Sequence, residues 1–403
     1  MALRYFIPDW DDRVDPGFDF ITDEHTPHRV PYRDDVYAHE IFQPAPYDGV
    51  LLSRAVLDGN PAKRDAIREA GSVHRYLRLP IDGAHEVLGD CGAFTYWQQD
   101  TPPYDTGELL DFYQELGFDL GVSIDHLIFT EVEEEKERRW DITIENARHF
   151  IRLHRRGRYE LTPIGVAQGW DPPSYRRAAH ALVKMGYEYV AVGGLARSRT
   201  PDVVRVLESV QEELKPGTRV HLFGVNRPEH LGLFASLGVT SFDSASRLRR
   251  AWMDGRRNYF LGDRAHTAIR IPEARALARS MDLDETKAAR LEQKALRQLT
   301  AYDRGEAPLK EVLRAVLAYS KLTGRLTEQT IVDYRETLES QPWKSCPCTI
   351  CRTIGIEVVI FRGNNRNRRR GFHNTWQLYQ QIRGIASTQE VPLDGGSQLT
   401  LGL

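Results

Sequence analysis

Short apolar runs of strand length alternate along this chain with longer segments of helical periodicity. That alternation constrains the fold more than any other feature. The runs are Gly49–Ser53, Glu86–Gly89, Asp119–Ile124, Thr162–Ala167, Glu188–Val192, Arg219–Phe223 and Val239–Phe242, with an earlier candidate at Val36–Phe42. Segments such as Ser174–Met185 and Pro201–Leu214 carry apolar residues at helical spacing between them. Strand and helix alternating eight times predicts an α/β chain with parallel strands, and the span fits an irregular (β/α)8 TIM barrel. A doubly wound open sheet satisfies the same pattern. However, no Gly-x-Gly-x-x-Gly follows the first strand, which weighs against a dinucleotide-binding version of it.

The residues at the ends of these runs carry the functional signal. Glu86–Gly89 is followed by Asp90-Cys91-Gly92-Ala93-Phe94, Gly121–Ile124 by Asp125, and Ile164–Ala167 by Gln168-Gly169. Tyr189–Val192 leads to Gly193-Gly194-Leu195, His221–Phe223 to Gly224, and Val239–Phe242 to Asp243-Ser244-Ala245-Ser246. Taken singly, a carboxylate before small residues also reads as a helix N-cap. Barrels of this kind place their chemistry at the C-terminal strand ends. Three carboxylates and an amide are therefore expected to converge on one mouth.

Three of the four cysteines cluster as Cys346-Pro347-Cys348-Thr349-Ile350-Cys351, with His373 further on. Disulfide frameworks belong to small secreted chains, whereas clustered thiols in a large one point to metal. Three thiolates and an imidazole make a closed tetrahedral site, the structural form of Zn2+. Thiolate clusters also suit iron–sulfur, but the lone histidine and the lack of any redox context favour zinc. Between the cysteines and His373 lies Arg362-Gly363-Asn364-Asn365-Arg366-Asn367-Arg368-Arg369-Arg370-Gly371, with no acidic residue interrupting it. It reads as a zinc-pinned loop in which Arg366, Arg368, Arg369 and Arg370, together with Arg247 after the last strand, contact nucleic-acid phosphates. A solvated charged loop is the alternative.

The chain has 403 residues, 41% hydrophobic, with a formal net charge of −3. A polyanion must then be met by a local basic patch and not by the molecule as a whole. No apolar run reaches the roughly 18 residues of a membrane span, and the opening residues turn acidic at once, so a cytoplasmic protein with no membrane partner is expected. Five regions follow: an irregular N-terminal segment with the first strand (1–47), the barrel (48–271), a helical insertion (272–340), a zinc subdomain with a closing helix (341–386) and a loose tail (387–403). The insertion holds four amphipathic segments, Glu273–Ser280, Asp284–Ala301, Pro308–Lys321 and Thr327–Ser340.

Together these pieces resemble the tRNA-guanine transglycosylase superfamily, an irregular (β/α)8 barrel with a Cys-x-Cys-x-x-Cys…His zinc subdomain. Within it, Phe6-Ile7-Pro8-Asp9-Trp10-Asp11-Asp12-Arg13-Val14-Asp15-Pro16, Tyr37-Ala38-His39-Glu40-Ile41-Phe42, Tyr47-Asp48-Gly49 and Gly89-Asp90-Cys91-Gly92-Ala93-Phe94 look like the DpdA branch. The resemblance implies an enzyme that replaces guanine in DNA with the 7-deazaguanine base preQ0. It implies Asp243 as nucleophile and Asp90 as general acid/base. It further implies that Asp125, Gln168 and the Gly194-Leu195 backbone hydrogen-bond the base edge, and that Phe94 and Phe223 sandwich its faces. A partner ATPase encoded alongside is implied, as is the homodimer of the tRNA-acting relatives, whose surface the insertion could remodel. Cys91 stands where those relatives usually carry serine and reads as a packed small residue. The residue types suit base exchange. A carboxylate holds the sugar covalently while bases swap, and a second carboxyl group carries the proton. Two other readings stay open: a tRNA-acting enzyme, and a catalytically silent nucleic-acid-binding subunit. Retention of both Asp90 and Asp243 argues against the silent one.

Overall fold

The computed structural model describes residues 2–80, 83–225 and 227–389. Eight parallel strands close into a barrel in sequence order: β1 (Arg4–Pro8), β2 (Gly49–Ser53), β3 (Glu86–Asp90), β4 (Leu120–Val122), β5 (Thr162–Ala167), β6 (Tyr189–Val192), β7 (Arg219–Leu222) and β8 (Ser241–Asp243). Seven of them fall where the apolar runs predict. The first does not. β1 is Arg4–Pro8, which pairs with β2 on one side and closes the barrel against β8 on the other, with Tyr5 opposite Phe242 and Phe6 opposite Asp243. The barrel therefore begins near residue 4 and not at 48.

Val36–Phe42 is not a strand. Val36 makes a lone antiparallel bridge to Val14, and Ala38–Ile41 is a helical turn. Its entry is fixed locally, because the Glu40 carboxylate accepts the Tyr37 backbone N–H at 2.8 Å. His39 is buried against the Tyr47 hydroxyl (2.6 Å) and the Leu77 carbonyl (3.0 Å). An apolar alternation in the sequence here records a turn packed into the core.

Inside the barrel Phe6, Leu51, Leu88, Leu120, Val122, Ile164, Val166, Tyr189 and Ala191 form one cluster. Outward residues such as Val50, Val87 and Val190 pack in a second cluster that includes Leu109, Phe150, Leu182 and Leu207 from the surrounding helices. Gly49 makes room for this arrangement, since a Cβ there would lie 2.5 Å from the Phe6 ring. Strand faces thus alternate between the two packed layers, as the period of two requires. Among the described residues, no helix is long and apolar enough to cross a membrane.

The insertion is four helices, Ala274–Met281, Glu285–Asp303, Leu309–Ser320 and Glu328–Ser340, close to the predicted segments. Two start on side-chain caps, Asp284 accepting from Lys287 N and Thr327 from Thr330 N, each at 3.1 Å. The layer docks on the zinc subdomain: Asp303 accepts from Trp343 Nε1 (2.6 Å) and Ile356 N (3.1 Å).

The arginine-rich segment is not a loop. Gly363–Gln389 is one long helix, which takes in the run from Gly363 to Gly371 as well as His373. Arg362, Arg366, Arg369 and Arg370 are 8%, 2%, 6% and 0% exposed, so they cannot be the phosphate-contacting surface expected of them. Arg362 and Arg366 both grip Asp23, with Glu292 and Glu357 as second carboxylates. Arg369 donates to the Asp15 carbonyl at 2.6 Å. Arg370 donates to the carbonyls of Ala251, Val358 and Ile360 and to Asn367 Oδ1, and burial pulls its guanidinium down to about 9. These side chains bind the N-terminal segment and the last helix into one body. Arg368 alone stays partly exposed, 3.4 Å from the Asp12 carboxylate. The tail expected to be loose lies, from residue 390 on, outside the described residues. Replacing Arg370 with Met should strand three buried carbonyls and cost about 2–3 kcal/mol, measured by urea unfolding.

Candidate active site and metal centre

The strand-end residues do converge. Asp90, Asp125, Gln168, Gly194, Phe94, Phe223 and Asp243 line one cleft of about 1210 Å³ at the C-terminal mouth of the barrel. Every residue lining it lies between Pro8 and Asp243. The helical insertion and the zinc subdomain contribute none of the wall. Leu195 is buried and lines an adjoining groove instead. Arg247 stacks over the Phe260 ring at 3.7 Å and is also outside the cleft wall.

Asp243 ends β8 with its two oxygens in different situations. Oδ1 accepts the Gly224 backbone N–H at 2.9 Å and His221 Nε2 at 3.3 Å, while Oδ2 has no hydrogen bond among the described residues. An ionised carboxylate only accepts, so His221 Nε2 carries the proton and Nδ1 must accept. The Ser241 hydroxyl donates to Nδ1 at 2.9 Å and accepts from the Tyr189 phenol at 2.6 Å. This buried chain runs across β6, β7 and β8 and points every proton toward Asp243. It holds one oxygen and presents the other to the cleft.

Asp90 is in the opposite state. Burial first, and then the Asp125 and Asp243 carboxylates, push it up to about 8. The backbone N–H groups of Gly92, at 3.1 Å to Oδ2, and of Cys91 work against that shift. Two carboxyl groups at one mouth thus differ in surroundings: burial and neighbouring carboxylates favour the protonated form of Asp90, whereas the hydrogen bonds to Asp243 Oδ1 are those given to an acceptor.

Asp125 and Gln168 form the polar floor. Asp125 accepts the Cys91 thiol at 3.1 Å on Oδ1 and Gln168 Nε2 at 2.6 Å on Oδ2. Cys91 is thereby a packed, hydrogen-bonded thiol, as its position suggested. With its amide nitrogen bonded to Asp125, Gln168 is left with Oε1 buried and, among the described residues, unpartnered. That oxygen faces Gly194, where an added Cβ would lie 2.7 Å away, and Gly194 holds a φ of 79°. Glycine is needed here for both conformation and space. A buried open acceptor flanked by bare backbone suits the polar edge of a planar ligand. Phe94, 53% exposed, and Phe223, edge-on to His221, stand at the cleft wall.

The metal cluster is equally well formed. Cys346, Cys348, Cys351 and His373 are all buried, with ligand atoms within 4.8 Å of one another. His373 Nδ1 lies 3.6, 3.4 and 3.4 Å from the three sulfurs. Bond lengths of ~2.3 Å to sulfur and ~2.0–2.1 Å to nitrogen at tetrahedral angles call for about 3.5 Å, so the group fits a metal ion of that kind. His373 Nε2 donates to the Phe260 carbonyl at 2.6 Å, which leaves Nδ1 as the ligand atom. Tyr259 stacks on the imidazole at 4.1 Å and reaches Cys351 Sγ at 3.3 Å, while Gln377 Nε2 is 3.3 Å from Cys346 Sγ. Cys348→Ser should lower the metal content found by elemental analysis and the thermal midpoint together; a full metal complement would exclude this ligand set.

Sequence reasoning missed His221, Ser241 and Tyr189, and the cleft wall formed by Asp9, Trp10 and Lys63. Both groups had a signal. His221 occupies a position within an apolar run, and Asp9-Trp10 follows a strand end like the others once β1 is placed.

A family model described as queuine tRNA-ribosyltransferase matches residues 57–275. A DNA-guanine transglycosylase of Salmonella montevideo is 42% identical over 408 residues, which covers 94% of this chain and 97% of that protein. The tRNA-guanine(15) transglycosylases of Pyrococcus abyssi and Methanocaldococcus jannaschii are 29% and 25% identical over 50% and 41% of this chain. This chain matches only 34% and 27% of their lengths. With a closed barrel, paired strand-end carboxyl groups and a Cys3His cluster in hand, the chain belongs to the tRNA-guanine transglycosylase superfamily, in its DpdA-like branch, and is a transglycosylase of the pentosyltransferase type.

Proposed function

We propose that this protein replaces a guanine base in DNA with a 7-deazaguanine of the preQ0 type through a covalent aspartyl–sugar intermediate. The observation that carries the reading is the pair Asp243 and Asp90 in one cleft, one held as an acceptor with a free oxygen and the other pushed up to about 8. Asp243 Oδ2 attacks C1′ of the target nucleotide as the bond from C1′ to the purine nitrogen breaks. Asp90, protonated, gives its proton to the departing guanine. The Asp90 carboxylate then takes a proton from the incoming base, whose ring nitrogen attacks C1′ and releases Asp243. The exchange is balanced without redox chemistry or nucleotide hydrolysis.

Gln168 Oε1 is the group available to accept from the base edge, with Asp125 holding the amide in place. Phe94 and Phe223 are positioned to cover the base faces, and the Gly194 backbone approaches its rim. The Cys346, Cys348, Cys351 and His373 site is assigned to structural Zn2+, which would fix the strand Tyr259–Leu261 and the long C-terminal helix against each other. DNA as the substrate is supported by the near full-length similarity to a DNA-guanine transglycosylase, against matches to the tRNA-acting relatives over half of this chain. Extruding a base from duplex DNA costs a few kcal/mol, which is the physical reason for assigning a partner ATPase. A homodimer and a cytoplasmic location belong to the same reading.

The test is incorporation of labelled guanine and preQ0 into DNA and into tRNA, side by side, with wild type and Asp243→Ala. Label in DNA alone, abolished by Asp243→Ala while the fold is retained, is the expected result; label in tRNA would overturn the substrate, and wild-type-like exchange by the variant would overturn the nucleophile. A second outcome follows from Asp90. Its protonated form is the active acid, so the rate of covalent-intermediate formation should be level near neutral pH and fall as pH rises through about 8. Trapping on denaturing gels across pH reads this directly. Asp90→Asn should slow formation of the trapped covalent species at every pH and remove the fall near 8.

A further inference from the structure

Trp10 is a large aromatic side chain held out into solvent by a costly piece of backbone. Pro8 ends β1, and Asp9-Trp10-Asp11 continues as part of the cleft wall. Asp9 N–H donates to the Leu51 carbonyl at 2.9 Å, and Asp11 N–H donates to Asp9 Oδ1 at 3.1 Å. Asp11 has a φ of 54°, a left-handed conformation that costs a non-glycine residue energy. The buried Lys63 ammonium lies between Asp9 and Asp11, 2.8 Å from the latter. Both neighbours of Trp10 are thus clamped to the helix Pro61–Ala70, yet the indole between them is 52% exposed. A side chain so exposed adds little to the core, so the clamp serves to fix where the indole stands.

That place is the partition between two hollows. On one side is the cleft with Asp90 and Asp243; on the other is a groove of about 660 Å³ lined by Arg249, Trp252, Met253, Asn364, Asn367 and Arg368. The Arg249 guanidinium stands 4.2 Å from the Trp10 ring centroid and, among the described residues, has no carboxylate within 4 Å. Asp12, whose carboxyl is pushed up to about 7 by burial, leaves Oδ2 unpartnered at the back of the groove. Cations, amides and flat aromatic surface in one groove suit a nucleotide and not an apolar helix.

We propose that this groove is the subsite for the nucleotide next to the reacting one, its base stacked on Trp10 and its phosphate against Arg249 and Arg368. The inference rests on the nucleic-acid reading above. A base drawn into the cleft leaves its neighbour with one face uncovered, and an indole fixed at the rim replaces the lost stacking. Because stacking accepts any base, the subsite binds the neighbour without reading its identity.

The test uses the full-length protein and a short single-stranded oligodeoxynucleotide with one guanine, carrying fluorescent 2-aminopurine either 5′ or 3′ of it. Wild type should quench the probe at one of the two positions. Trp10→Ala should abolish that quench and weaken binding about tenfold, the loss of one stacked base; Trp10→Phe should keep most of both. Arg249→Ala should keep the quench and reduce the salt dependence of binding by about one charge. Thermal midpoints establish that each variant is folded. Equal quench and affinity in wild type and Trp10→Ala would overturn the subsite. A wild type that exchanges guanine but quenches at neither position would overturn it while leaving base exchange intact. A wild type that neither binds nor modifies any nucleic acid would overturn both.

Discussion

The pairing of β1 with β8 is the contact on which the rest of this molecule depends. It closes the barrel through Arg4, Tyr5 and Phe6 alongside Ser241, Phe242 and Asp243, and it stacks the Tyr5 and Phe242 rings at 5.2 Å. The Tyr5 phenol donates to the Ser244 carbonyl at 2.6 Å, and Ser244 N–H donates to the Phe6 carbonyl at 3.2 Å, so the seam is tied just beyond Asp243. Register follows from the seam. With Phe6 opposite Asp243, the residues two and more places past Phe6 must rise to the same mouth, and those are Pro8, Asp9 and Trp10. The Asp243 carboxylate and the aromatic partition beside it are set by one strand pairing.

Much of this was legible in the sequence. Asp90, Asp125, Gln168 and Asp243 each follow an apolar run directly, and a parallel barrel converts that one-dimensional rule into a shared mouth. The three cysteines lie so close in sequence that their joint ligation needs little long-range information. β1 was not legible: its apolar content is three residues ending in a proline, while Val36–Phe42 mimicked a strand because a packed helical turn also alternates. His221 was hidden for a different reason. Its role depends on Ser241 and Tyr189, which reach it only across neighbouring strands.

The arginines were misread because their partners are remote in sequence. A basic run with no local acid looks like a surface for polyanions, but Asp23 meets Arg362 across a separation of 339 residues. Arg370 shows the further step, in which a guanidinium meets no carboxylate among the described residues and is dissolved in backbone carbonyls instead. Burying a charge this way is tolerable only when its donors are satisfied. Local charge counting therefore pointed to the wrong face for Arg366, Arg369 and Arg370, while Arg368 from the same run and Arg249 from the helix after β8 stay partly exposed beside the cleft.

The grip of Arg362 and Arg366 on Asp23 has a bearing on how the chain is made. On a ribosome the first barrel strand emerges more than three hundred residues ahead of the side chains that pin the segment following it. β1 can meanwhile pair with β2, set Arg4 on Glu86 and donate Tyr5 N–H to Asp48, but its closing partner β8 lies more than two hundred residues further on. Contacts of such separation form slowly. Barrel closure and the pinning of the segment after β1 therefore belong to the slowly formed contacts of this fold, whereas the Lys63 clamp on Asp9 and Asp11 is a more local one.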